Sequence, residues 1–256
     1  MISLISDPWF YAVAVPAVIL VGLSKGGLGG AVGFIGVPVM ALAMPPVQAA
    51  AILLPILVLM DLVSLWAWRG HFNRMILWQM LPAAMLGILI GLLTASMVSP
   101  GMVRLLLGVV AIVFVGRWLY LQLAGHSDRK SEPNAVRGAF WGAVTGFTSF
   151  VAHAGGPPFQ VYALPLKLDP KIFTGTAVIF FAVTNAVKLV PYFALGQFDR
   201  TNLTVSLVLM PLAPLATLAG AAIVRRMRPE VFYPFTYGTV ALIALKLIWD
   251  GVRDVL

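Results

Sequence analysis

The sequence of 256 residues contains no cysteine and very few charged residues. Without cysteine, the chain can form neither a disulfide nor a thiolate metal site. Charged residues make up 10% of the chain, whereas soluble domains carry about 25%. Hydrophobic residues make up 61%, and the mean hydropathy is +0.97. This composition excludes an ordinary soluble domain and indicates a protein embedded in a lipid bilayer.

The sequence also lacks the usual elements of catalytic sites. Its three histidines, His71, His126 and His153, lie in separate segments. No HExxH, GxSxG or P-loop lysine–serine motif occurs in the chain. We therefore expect no enzymatic activity, no catalytic residue, no metal site and no cofactor.

The formal net charge of +8 does not indicate a nucleic-acid partner. The basic residues are scattered between apolar runs, where lysine and arginine anchor membrane helices on the cytoplasmic side. We therefore expect the lipid bilayer, and no nucleic acid, as a partner. The sequence leaves open whether the chain forms a homo-oligomer.

Long apolar runs dominate the chain. Residues 75–97 and 201–224 contain no charged side chain, and each is long enough to cross a bilayer as one helix, which takes about 20 residues. Residues 1–22 carry no lysine or arginine, so we interpret them as a retained first span rather than a signal peptide. Because lipid cannot satisfy backbone polar groups, these spans should be helices. The sequence predicts an all-α integral membrane protein.

The chain consists of two similar halves joined by a polar linker. GHFNR at 70–74 is similar to GQFDR at 196–200, and three further pairs match at a constant offset of 129. These pairs are Pro82 with Pro211, Gly91 with Gly220, and Pro100 with Pro229. Such an ordered set of matches indicates an internal duplication. We divide the chain into a first repeat (1–123), a cytoplasmic linker (124–134) and a second repeat (135–256).

The number of spans depends on two short apolar segments, 31–44 and 157–168. If both cross the bilayer, eleven lysines and arginines fall on one side and three on the other; if both are re-entrant, each side holds seven. Because this bias sets orientation, we predict about ten spans, with both termini outside the cytoplasm. Five spans per half would invert the second repeat relative to the first, an arrangement found in many secondary transporters.

Two glycine-rich segments at corresponding places, 24–38 and 148–160, mark a candidate substrate site. Glycine leaves backbone N–H groups accessible, and a helix N-terminus carries partial positive charge, so the pattern suits an anion. The candidate residues are Ser24, Lys25, Gly26, Gly27, Gly29, Gly30 and Gly33, followed by Thr148, Ser149, His153, Gly155, Gly156 and Gln160. In the alternative interpretation, the glycines only allow close helix packing, Lys25 only anchors its helix at the interface, and His153 only packs.

Charged residues inside apolar spans form a second candidate group. Asp61 lies within 47–67 and Lys188 within 171–193, and the repeat alignment pairs Asp61 with Asn185, one helical turn before Lys188. Ionisable residues at membrane depth are costly and usually face a partner or a wet cavity. We expect Asp61 and Lys188 to face the interior, where they pair with each other or line the substrate path, and we assign all three residues to the path or to coupling. The alternative is that Asp61 and Lys188 lie near helix ends and reach the interface.

Over nearly its whole length the chain resembles the TauE/SafE family of sulfite exporters and related anion permeases. The family motif is a glycine cluster, a short spacer, Val-Pro and a small residue before leucine; the matching residues are Gly29, Gly30, Gly33, Gly36, Val37, Pro38, Ala41 and Leu42. The second half departs from this motif, since Gln160-Val161 replaces Val-Pro. The resemblance implies a secondary transporter of the bacterial inner membrane that moves sulfite, an organosulfonate or a related small anion by alternating access. A non-transporting membrane accessory or assembly subunit is the alternative.

Overall fold

A computed structural model describes residues 7–28, 36–44, 46–94, 97–125, 130–152, 154–194 and 200–255. Within these residues the chain is helical and contains no strand, which confirms the all-α prediction. The helices are α1 (Pro8–Leu23), α2 (Gly36–Met40), α3 (Pro46–Ala67), α4 (Arg74–Thr94), α5 (Pro100–Leu123), α6 (Ala135–Val151), α7 (Gly156–Ala163), α8 (Pro170–Ala194), α9 (Arg200–Leu209), α10 (Leu212–Arg226) and α11 (Pro229–Val255). A π-helical turn, Ser24–Leu28, extends α1, and a 3-10 turn, Leu164–Leu166, follows α7.

Local sequence signals explain where several helices begin. The Asp7 carboxylate accepts a hydrogen bond from the Trp9 N–H at 2.9 Å at the start of α1, and the Asn134 side chain caps α6 by accepting from the Arg137 N–H at 3.0 Å. Such caps satisfy backbone donors that the first turn of a helix leaves unpaired. Proline occupies the first position of α1, α3, α5, α8 and α11, where its missing N–H costs nothing.

Five described helices are long and apolar enough to cross a membrane, and a sixth span results if one bent pair is counted. The bent pair is α9 and α10, which meet at 47°. The sequence predicted one continuous span here, but Pro211 lies at the break. Proline has no N–H to donate to the preceding turn, and its ring crowds that turn. Its counterpart, Pro82, lies inside the unbroken α4. About ten spans therefore stays a prediction.

The chain packs into two compact units. The first unit comprises Met1–His71 and Phe181–Met227, and the second comprises Phe72–Phe180 and Arg228–Leu256. Each unit combines segments from both halves of the sequence. The packing units therefore do not coincide with the repeats, whose boundaries at 123 and 135 stay a prediction.

In the first unit, glycines allow the backbones of α1, with its π-helical turn, and α10 to come into direct contact. A Cβ atom on Gly26 would collide with the carbonyl oxygen of Thr217, and one on Gly220 would collide with that of Leu23. Small residues of this kind permit close helix packing in membranes. A cluster of buried side chains from α1, α2, α3 and α9 packs beside this crossing; it includes Phe10, Val21, Met40, Ile56, Met60 and Val205.

In the second unit, α4 and α6 cross in the same manner. A Cβ atom on Gly87 would collide with the carbonyl oxygen of Ala143, and one on Gly146 with that of Ala84. Helices α5 and α11 also pack together, and Arg104 forms an ion pair with Asp254 between them. The second unit is thus built on close helix crossings as well.

Candidate functional site

The first glycine-rich segment interrupts the helix at the end of α1. Its π-helical turn contains Gly27 at a φ of 134°, a conformation that L-residues rarely adopt. The turn carries Ser24, which is buried, and Lys25, which is partly buried. Gly29, Gly30 and Gly33 lie outside the described residues.

Lys25 forms an ion pair with Asp61 of α3. The distance from Lys25 Nζ to Asp61 Oδ1 is 2.5 Å, and the two side chains are 19% and 13% exposed. The Asn185 Nδ2 of α8 donates a hydrogen bond to the second carboxylate oxygen, Asp61 Oδ2, at 3.1 Å. Both oxygens of the Asp61 carboxylate are therefore engaged.

Lys188 brings a second lysine to this place. Lys188 is only 8% exposed, and the charges of both Lys25 and Asp61 act on its ammonium group. Lys188 follows Asn185 by three residues, so the two side chains share one face of α8. We call Lys25, Asp61, Asn185 and Lys188 the charged cluster. The three residues expected from the repeat alignment thus lie together, and Lys25 completes the group.

Three side chains that the sequence did not point to support the π-helical turn. The Ser64 hydroxyl donates to the Lys25 carbonyl oxygen at 2.9 Å, and the Trp68 indole N–H donates to the Gly26 carbonyl oxygen at 2.8 Å. The Arg225 guanidinium lies 5.3 Å from the centre of the Trp68 ring and donates to the Ala67 carbonyl oxygen. These bonds satisfy carbonyl groups near helix ends and hold the turn in place.

The alignment contained a signal for one of these supports. The spacing of 124 between Asp61 and Asn185 also relates Ser64 to Lys188. Ser64 could therefore have been found from the sequence. Nothing in the local sequence distinguishes Trp68 or Arg225 from the other aromatic and basic residues near helix ends.

The second glycine-rich segment forms a break between α6 and α7. The Thr148 hydroxyl donates to the Val144 carbonyl oxygen at 2.8 Å, and the Thr148 carbonyl oxygen accepts from the Ala154 N–H at 3.1 Å. Ser149 is buried, and a Cβ atom on Gly155 would lie 2.8 Å from its Cβ. His153, which falls within this break, lies outside the described residues.

Gln160 is the most unusual polar residue of this second break. It is 4% exposed, and within the described part of the chain its Oε1 has no hydrogen-bond partner. Gly156 lies one turn earlier on the same face of α7 and is also buried, yet a Cβ atom there would meet no described heavy atom within 4 Å. Among the described residues, a buried amide that can both donate and accept hydrogen bonds thus lies next to a glycine with open space beside it. We call Thr148, Ser149, Gly155, Gly156 and Gln160 the neutral break.

Among the described residues, no set of three or more histidine, aspartate or glutamate side chains is close enough to hold a metal ion. The described side chains of the two places therefore comprise two lysines, one carboxylate and several hydrogen-bonding groups within apolar helices.

A helical chain with several apolar spans and a buried charged cluster is a multi-pass membrane protein. The family model described as "Sulfite exporter TauE/SafE" matches residues 14–247. The chain therefore belongs to the TauE/SafE sulfite exporter family, a family of membrane transporters, and the resemblance based on its glycine-rich motif is confirmed. Comparison with curated proteins and with solved structures gave no match.

Proposed function

We propose that the protein is a secondary transporter that moves a small anion, such as sulfite or an organosulfonate, across the bacterial inner membrane. The charged cluster carries this proposal. Its described side chains hold two lysines, Lys25 and Lys188, against one carboxylate, Asp61. Ionisable groups at membrane depth usually line a substrate path or a wet cavity, and two ammonium groups at one such place suit a small anion.

The proposed mechanism is alternating access between two inverted repeats. The hydrogen bond between Asp61 and Asn185 supports this arrangement. The alignment relates these two residues, and a residue that contacts its own counterpart lies near the two-fold axis of the repeat. Transporters with inverted repeats bind their substrates at the repeat interface, which is where a cluster near such an axis would lie.

Two recurring features also favour a duplication. Helices α3 and α8 begin at the aligned prolines Pro46 and Pro170, and α5 and α11 begin at Pro100 and Pro229. The alignment further relates α1 to α6 and α10 to α4, so the glycine-mediated crossing in each unit joins the same two elements. We propose five spans in each half and both termini outside the cytoplasm.

The neutral break would supply a second set of ligands along the anion path. Gln160 can donate hydrogen bonds through its amide nitrogen, and Ser149 can donate through its hydroxyl. Hydrogen bonds to a charged acceptor are about twice as strong as those between neutral groups. We propose this role for the neutral break. The sequence pattern alone leads us to propose the same role for His153, Gly29, Gly30 and Gly33.

Flux measurements in proteoliposomes test the proposed function. Proteoliposomes that contain the purified protein should accumulate labelled sulfite or a labelled sulfonate. Lys188→Met should lower uptake by about 100-fold or more, since losing one buried charge partner of the anion costs about 3 kcal/mol or more. Lys246→Met is the matched control because Lys246 also lies in an apolar helix and pairs with a nearby carboxylate, that of Asp250, at 2.6 Å. We expect the control to retain uptake.

Two outcomes would contradict the proposal. Equal losses in Lys188→Met and Lys246→Met would remove the charged cluster from the mechanism. Absence of flux in the wild-type protein, together with no thermal stabilisation by any tested anion, would favour the accessory or assembly subunit instead.

A further inference from the structure

Several hydrogen-bond donors at the neutral break are already engaged within the chain. The Thr148 hydroxyl donates to the carbonyl oxygens of Val144 and Ala154, at 2.8 Å and 3.3 Å, so its single hydrogen is in use. The N–H groups of Ala152 and Ala154 both donate to the Thr148 carbonyl oxygen, at 3.0 Å and 3.1 Å. These donors satisfy acceptors of the break itself and are not available to a ligand.

The first turn of α7 adds few further donors. A helix N-terminus normally presents four unpaired N–H groups, which make it a favourable site for anions. In α7, however, Pro157 and Pro158 occupy two of the first four positions and have no N–H group. The N–H of Phe159 donates to the Gly155 carbonyl oxygen at 3.4 Å. The start of α7 is therefore less suited to an anion than the glycine-rich sequence suggested.

Gln160 instead contributes a buried acceptor to the same helix. Its residue is 4% exposed, and no described group donates a hydrogen bond to its Oε1. Gly156 lies one turn earlier on the same face of α7, and a Cβ atom built there would meet no described heavy atom within 4 Å. A buried acceptor without a donor is costly. A ligand that brings its own donor to this face of α7 would remove that cost.

We propose that the neutral break selects anions that also carry a hydrogen-bond donor, and that Gln160 Oε1 accepts this hydrogen bond. Hydrogen sulfite and hydroxyalkyl sulfonates have such a donor, whereas sulfate and simple alkyl sulfonates have none. An analogue without the donor leaves the buried acceptor unpaired in the complex, and sites of this kind discriminate strongly against such analogues. This inference rests on the proposed function and specifies its substrate class.

Two sulfonates of nearly equal shape, hydroxyethanesulfonate and propanesulfonate, test the inference. They differ only in a terminal hydroxyl group against a terminal methyl group, and calorimetric titration of the purified protein gives both dissociation constants. We expect the hydroxyl compound to bind about tenfold more tightly or better, the equivalent of one hydrogen bond. A place without a paired acceptor would favour the methyl compound, because a hydroxyl group costs more to remove from water.

Variants of Gln160 show whether this residue is the acceptor. Gln160→Leu and Gln160→Met, the second of which is close to glutamine in length, should each bring the ratio of the two dissociation constants to about one or reverse it. Hydrogen bonds that Gln160 donates to the sulfonate group do not alter this ratio, because both compounds carry that group. Gln79→Leu is the matched control, since Gln79 Oε1 already accepts from the Tyr162 hydroxyl at 2.7 Å. It should retain the wild-type ratio.

The outcomes separate this inference from the proposed function. Equal or tighter binding of propanesulfonate by the wild-type protein would overturn the inference and leave the proposed function intact. A wild-type preference that persists in both Gln160 variants would do the same, as would a preference that is also lost in folded Gln79→Leu. Failure of both sulfonates and of sulfite to bind would overturn the proposed function and the inference with it.

Discussion

The π-helical turn that carries Lys25 and the neutral break occur at corresponding places in the two halves of the sequence, yet they differ in chemistry. Each follows the first helix of its half and contains glycines. In the charged cluster, Lys25 is held by Asp61 and its turn is braced by Ser64 and Trp68. In the neutral break, the Thr148 hydroxyl donates to carbonyl oxygens of the break and of its own helix. Gln160 Oε1 has no partner among the described residues.

This difference gives the two interrupted segments different chemistry. A helix is interrupted in both places, at Gly27 of positive φ in the first and between α6 and α7 in the second, and the side chains then decide whether the place carries charge. The charged cluster is suited to attracting an anion over a distance, because a charge in a low-dielectric environment is weakly screened. The neutral break is suited to hydrogen bonds, which act only in direct contact. The following predictions test this comparison.

Removing the carboxylate of the charged cluster should have the largest effect on stability. Asp61→Ala leaves Lys25 without its partner in a mostly buried place, so we expect a loss of about 3 kcal/mol. Asp250→Ala breaks a lysine–aspartate pair whose side chains are 36% and 33% exposed, so it should cost about 1 kcal/mol or less. Thermal unfolding in detergent measures both losses. Similar losses would mean that the Lys25–Asp61 pair is no more protected than a surface pair.

Adding a methyl group should distinguish a tightly packed glycine from one beside open space. Gly26→Ala would drive a Cβ atom into the Thr217 carbonyl oxygen, so we expect a loss of about 1–3 kcal/mol. Gly156→Ala should change stability by about 0.5 kcal/mol or less, because no described heavy atom lies within 4 Å of the new Cβ. Thermal unfolding compares the two variants directly. A large loss in Gly156→Ala would show that the space beside it is filled.

Replacing Gln160 should have the smallest effect on stability but a clear effect on transport. Gln160→Leu removes a buried amide whose Oε1 has no described partner, so stability should change by about 1 kcal/mol or less. Anion uptake should fall by about tenfold, the equivalent of one lost hydrogen bond to a charged ligand.

The matched control for Gln160 is another glutamine of the second unit. Gln79 Oε1 accepts a hydrogen bond from the Tyr162 hydroxyl at 2.7 Å, so Gln79→Leu should lower stability and leave uptake largely unchanged. Unfolding and flux measured on both variants give the comparison. Unchanged uptake in Gln160→Leu would exclude the neutral break from the anion path.

Much of the fold could be predicted from the sequence, because its signals are local. Apolar runs and the absence of charge predicted helices, and caps such as Asp7 and Asn134 mark where they begin. Proline was a less certain signal. Pro82 lies within an unbroken helix, whereas its counterpart Pro211 lies at a 47° bend. Packing around each proline decides between these outcomes, and a single sequence does not contain that information.

The candidate site could be predicted only in part. The repeat alignment brought Asp61, Asn185 and Lys188 into one group, and the structure has them in one cluster. The partner of Lys25 was not predicted, since Asp61 lies 36 positions away and the π-helical turn that carries Lys25 depends on the positive φ of Gly27. The functional role of every candidate residue stays a prediction.

The hydrogen bond between Asp61 and Asn185 also bears on how such a protein can arise. A half-length ancestor that paired with an inverted copy of itself would have carried the same residue twice at this contact. Two aspartates at 3.1 Å would repel each other, and two asparagines would offer no counter-ion to Lys25. Under the proposed duplication, each copy could change alone only once two copies of the gene existed, so this contact would record a change that a symmetric homodimer could not have made.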